Sequence, residues 1–109
     1  MTKITIFRDK NQNYVGFDCK GHAEFDDMGR DVVCAGISIL VQTTMLSLEE
    51  FTDEGFSGDM NEDTGDIHFR FSDVPGHDAA LLMDSMILGL QGIQSSYGKK
   101  FLRLQFKEV

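Results

Sequence analysis

The sequence predicts an α+β fold: a two-layer sandwich in the order β-β-α-β-β-α-β, with two helices packed on one sheet. Three observations carry that prediction. Short apolar runs with two-residue alternation are bracketed by turn residues, and two long segments instead repeat apolar residues every three or four positions. The 109 residues, 41% hydrophobic with nine Phe and six Met, suit one domain spanning 1–109 with one core and exclude a disordered chain.

Each element has its own justification. Thr2 to Arg8 and Tyr14 to Gly21 read as strands joined by the polar turn Asp9-Lys10-Asn11-Gln12-Asn13, a hairpin. In the second strand Val15, Phe17 and Cys19 share one face. Asp31 to about Phe51 reads as a long helix, apolar nearly all round. Val33, Ile37, Leu40, Val41 and Leu48 lie to one side, while Val32, Ile39 and Leu46 spread beyond a stripe of about 100°. Such a helix needs cover on two sides, the sheet on one and the second helix or another subunit on the other, so a homodimer is expected.

Phe56 to Asn61 and Asp66 to Ser72 form a second hairpin across Glu62-Asp63-Thr64-Gly65, with Ile67, Phe69 and Phe71 inward and His68, Arg70 and Ser72 outward. Pro75-Gly76 breaks the chain. A second helix from about His77 to Tyr97 follows, with Ala79, Met83, Met86, Leu90, Ile93 and Tyr97 as its apolar stripe. Gly89 and Gly92 let that helix approach a neighbour closely, and Gly98 stops it. Phe101 to Lys107 is the last strand, with Leu102, Leu104 and Phe106 on one face.

Ten Lys and Arg stand against eighteen Asp and Glu, a net charge of −8. A nucleic-acid partner is disfavoured, because neutralising phosphates requires clustered bases. From Val32 to Phe69, and again from Phe71 to Gly98, there is no Lys or Arg. Those stretches are either an ordinary solvated acidic face or a surface that draws in a basic partner. No apolar run is expected to span a membrane, and the N-terminus reads as a strand and not as a signal peptide. Two cysteines cannot make a disulfide scaffold, so a cytoplasmic protein with reduced thiols is expected.

Chemistry concentrates where the second strand runs into the first helix. His22 ends the strand, a polar loop flanked by Gly21 and Gly29 follows, and Asp31 stands where an N-cap belongs. Cys34 then falls at about the third helical residue, where unpaired N–H groups and the positive end of the dipole favour a thiolate. His22 is the natural base or imidazolium partner, since strand end and helix start must be neighbours in a packed sandwich. Asp31 either orients His22 or caps the helix. Ser38, one turn after Cys34, either lines the site or bonds back to the helix. The same pattern also fits an inert core cysteine beside a surface histidine. Cys19, mid-strand, is expected to be buried and unreactive, and His68 and His77 lie apart. Metal-ligand spacing and a Gly-rich phosphate loop are lacking, so no metal and no cofactor are expected.

The pattern Gly21-His22-Ala23, a spacer, then Gly29-x-Asp31-x-Val33-Cys34-Ala35-Gly36-x-Ser38 resembles the bacterial ribosomal-processing cysteine protease Prp family, and the resemblance extends over essentially the whole chain. It implies a peptidase that removes the N-terminal extension of a large-subunit ribosomal protein precursor. It implies His22 and Cys34 as catalytic dyad, the spacer from Ala23 to Arg30 as a mobile loop hinged at Gly21, a homodimer, and an apolar cleft for an extension ending in aromatic residues and alanine. Two other readings compete with it. One is a non-enzymatic acidic module chaperoning a basic ribosomal protein. The other is a redox-sensing thiol, which lacks a resolving partner if Cys19 is buried.

Overall fold

A computed structural model of the chain describes residues 1–21 and 30–109, with the backbone alone for Arg30 and Asp31. The elements are β1 (Thr2–Arg8), β2 (Tyr14–Lys20), α1 (Arg30–Phe51), β3 (Phe56–Met60), β4 (Ile67–Phe71), α2 (His77–Tyr97) and β5 (Leu102–Glu108). This is the predicted α+β order, with boundaries within one residue of those the sequence suggests. The strands form one sheet in the order β3-β4-β2-β1-β5. Both hairpins are antiparallel as expected, β4 pairs antiparallel with β2, and β5 lies parallel to β1 at the edge.

Alternation decides which side chains enter the core. In β4, Ile67, Phe69 and Phe71 are buried while His68 is exposed and Arg70 half-buried. Phe69 stacks on Phe17 at 4.9 Å between ring centroids and meets Phe71 edge-on at 5.0 Å. From the helices, Val33, Ile37, Val41 and Leu48 of α1 and Ala79, Met83, Met86 and Leu90 of α2 join them. Gly89 does what the sequence suggested: a Cβ there would sit 2.9 Å from the Leu40 methyl groups, so its absence permits the α1–α2 approach. Gly92 faces open space and has no such role. The stripes fade at the rims, with Tyr97 46% and Phe106 43% exposed. Phe106 lies on an edge strand, where its ring carries the Arg8 guanidinium at 4.4 Å. Gly98 closes α2 at φ 96°, its N–H donating to the Gln94 carbonyl at 2.9 Å.

One expectation needs correcting. By length and mean hydropathy, 1.6 over Val32–Phe51, α1 is apolar enough to cross a membrane. Glu49 and Glu50 are its only charges there, and interleaved Thr and Ser hide the run from a search for unbroken apolar sequence. In the fold its inward side belongs to the core. On its outward side Val32, Ile39 and Leu46 are between 61% and 68% exposed in the single chain.

On the sheet face away from the helices, Asp18 accepts from Arg70 Nη1 at 2.9 Å and lies 2.6 Å from His68 Nδ1. Burial pushes the Asp18 carboxyl up, but the Arg70 bond and charge, with His68, hold it below its usual range. A depressed folded pKa stabilises above the unfolded value, near 3.9, and that gain disappears as pH falls through the folded value. Asp18→Asn should therefore lower stability by about 1 kcal/mol at neutral pH. Urea unfolding on a descending pH series should show the wild type converging on the variant in acid.

Candidate active site

The sheet topology gathers one set of strand ends. β2 is antiparallel to β1, with Lys20 opposite Lys3, and β5 starts beside β1, with Leu102 opposite Thr2. β4 starts beside the end of β2, Ile67 opposite Cys19. The starts of β1, β4 and β5 and the exit of β2 thus share one edge of the molecule. Cys34 of α1 reaches this edge: its Sγ lies 3.9 Å from Thr2 Oγ1. The cysteine is partly exposed and unbridged, as a nucleophile requires.

Gly21 marks the exit of β2. It adopts φ +80°, and a Cβ would stand 2.5 Å from the Met1 carbonyl oxygen. Its N–H donates to Asp66 Oδ1 at 3.0 Å. β2 therefore leaves the sheet through a position only glycine fits, tied to the strands on either side. His22, the next residue, lies outside the described residues, as do positions 23–29 of the expected loop.

The helix start differs from the reading of the sequence. α1 begins at Arg30, so Asp31 is its second residue and not its N-cap, and Cys34 is its fifth. Arg is a good helix former, and a carboxylate in the first turn meets the helix dipole as well as one at the cap does. The Asp31 side chain lies outside the described residues. Helical side chains lean toward the N-terminus, which tilts Cys34 toward the first turn, where N–H groups lack helical acceptors. Ser38 is exposed one turn further on.

Cys19 is the contrasting thiol. It is 8% exposed, and burial, with the charges of Asp66 and Cys34, pushes it up to about 11. His68 and His77 do not reach the site: His68 pairs with Asp18, and His77, at the start of α2, lies 3.2 Å from Asp78. Iodoacetamide at neutral pH should therefore modify Cys34 at least about tenfold faster than Cys19, as read by peptide mass mapping. Sequence reasoning missed Thr2 and Asp66. Thr2 gave a signal, a polar residue in phase with inward Ile4 and Ile6. Asp66 gave none, because its contact depends on β4 lying beside β2.

Known proteins share this architecture. The profile of the family described as Cysteine protease Prp matches residues 1–101. Ribosomal processing cysteine protease Prp of Staphylococcus aureus is 30% identical over 87 residues, covering 80% of this chain and 81% of the relative. Its namesake in Bacillus subtilis is 31% identical over 103 residues, covering 89% and 90%. The crystal structure of S. aureus Prp in complex with a substrate peptide has a TM-score of 0.90 at 25% identity, covering 98% of this chain and 100% of that one. The S. aureus enzyme with a covalently linked product peptide gives 0.88 at 26% identity, with the same coverage. The family profile takes in β1 to β4 and both helices, the structural matches extend over 98% of the chain, and the chain belongs to the cysteine protease Prp family.

Proposed function

We propose that this protein removes the N-terminal extension of a large-subunit ribosomal protein precursor, with Cys34 as nucleophile and His22 as acid and base. The observation that supports this best is the family match combined with the place of Cys34: partly exposed, at the edge where β2 leads into His22. The Cys34 sulfur attacks the scissile carbonyl carbon, forming a C–S bond and an oxyanion. First-turn N–H groups of α1 are the donors for that charge, and losing one such donor costs roughly 3 kcal/mol in other acyl-transfer enzymes. The oxyanion collapses, the C–N bond breaks, and His22 gives its proton to the leaving amine. His22 then takes a proton from water, whose oxygen attacks the thioester carbonyl; the C–S bond breaks, releasing the new C-terminal acid and restoring the Cys34 thiolate beside protonated His22.

The base-free stretches supply exposed Glu49, Glu50 and Asp53, a field that would speed encounter with a basic ribosomal protein. The protein would work in the cytoplasm, where precursors are made and its two cysteines stay reduced. We assign it a homodimer, because Val32, Ile39 and Leu46 on the outward face of α1 leave apolar surface in water beside a groove of about 280 Å³ between α1 and α2. Light scattering should give twice the chain mass.

Incubation with the precursor, followed by mass mapping of the product, tests the activity. One new N-terminus should appear with the wild type and none with His22→Ala. Wild-type cleavage by His22→Ala would remove the dyad.

A further inference from the structure

We propose that Thr2 is a positioning residue for the nucleophile, its hydroxyl donating a hydrogen bond to the Cys34 sulfur. This rests on the assignment of Cys34 made above and deepens it. Thr2 opens β1 and points inward, in phase with Ile4 and Ile6, while Lys3 is exposed. Thr2 is 4% exposed, next to the fully buried Leu102 in the sheet and in phase with the fully buried Ile4. A buried hydroxyl without a partner is unfavourable. Among the described residues, the one partner of Oγ1 is the Cys34 sulfur at 3.9 Å.

Chemistry sets the direction of that bond. A thiolate has no proton, so during attack only the hydroxyl can donate, and a charged acceptor strengthens the contact. Both ends are held. The Thr2 N–H donates to the Phe101 carbonyl at 3.0 Å, and the register sets Thr2 beside Leu102 on one side of β1. β-Branching restricts its χ1, which fixes where the hydroxyl points. On the other side Val33 and Ile37, flanking Cys34 on α1, are buried at 2% and 3% exposure. A donor on a central strand thus meets a sulfur on an anchored helix and keeps it from swinging freely into solvent.

The test uses the full chain with two substitutions. Thr2→Val keeps shape and β-branching but loses the hydroxyl; Thr2→Ser keeps the hydroxyl but loses the methyl. Iodoacetamide alkylation of Cys34 is followed by mass spectrometry, and kcat and KM are measured on a peptide spanning the precursor junction. Thr2→Val should slow alkylation and lower kcat by about three- to tenfold with KM unchanged, and Thr2→Ser should stay within about twofold of wild type. Thr2→Ala repeats the loss if the Val variant is misfolded by circular dichroism. Wild-type rates in the hydroxyl-free variants, or equal losses in Val and Ser, would overturn the proposal. The two assignments fail separately: an active Cys34→Ala enzyme sinks the nucleophile, whereas an inactive one beside an unimpaired Thr2→Val sinks only the role of Thr2.

Discussion

Cys34→Ala should abolish cleavage of the precursor while leaving the fold intact. Removing the attacking atom of a covalent mechanism lowers kcat by a factor on the order of 10⁴ or more, because the remaining groups can only polarise the substrate. The structural effect should be small. Cys34 is partly exposed and, among the described residues, its one side-chain hydrogen bond is with Thr2, so a stability change within about 1 kcal/mol is expected. Cys19→Ala provides the opposite pattern. Cys19 sits in the core at 8% exposure, so its truncation should lower the unfolding midpoint and spare kcat at temperatures where the chain is folded. A steady-state assay and a thermal melt on both variants separate the two thiols. An acidic chaperone for a ribosomal protein would lose nothing with Cys34→Ala.

Phe69→Ala should produce the largest loss of stability. Phe69 is fully buried in the middle of β4 and touches three rings: Phe17 at 4.9 Å, Phe56 at 4.8 Å and Phe71 at 5.0 Å. Truncation removes the transfer free energy of a benzyl group and leaves a cavity the neighbouring rings only partly fill, about 3–5 kcal/mol together. Domains of this size have roughly 5–15 kcal/mol in total, so the midpoint of thermal unfolding should fall by more than about 10 °C. The effect should reach the site, because β4 carries Ile67 beside Cys19 and starts next to Asp66, which holds the Gly21 N–H. Activity should therefore vanish at a lower temperature than in the wild type, with kcat close to normal below it. A melt followed by circular dichroism, with activity sampled along it, would show whether site and core unfold together.

Local features were legible in the sequence and long-range ones were not. The alternation Ile67-x-Phe69-x-Phe71 reads directly because the strand has one buried face, and both hairpins read because their turns are short. The pairing of β2 with β4 and the parallel placement of β5 beside β1 join segments separated by a helix, and no periodicity names a strand's partner. That same gap hid the Thr2–Cys34 contact. Thr2 stood in phase with Ile4 and Ile6, yet what it would meet depended on where α1 begins relative to β1. Asp31 misled because a carboxylate serves equally well at the cap or in the first turn. Gly21, read only as a hinge, stands between the backbone of Met1 and the carboxylate of Asp66. The place of Cys34 near the start of α1 was legible, because a helix start is signalled by local sequence.

A trapped acyl-enzyme tests the central claim most directly. The protein and a peptide spanning the precursor junction should be mixed, quenched in acid during turnover, digested and mapped by mass spectrometry. A thioester on Cys34 carrying the N-terminal fragment of the peptide should be present during turnover and gone after it. Turnover with no adduct on Cys34, or with the acyl group on Cys19, would contradict it.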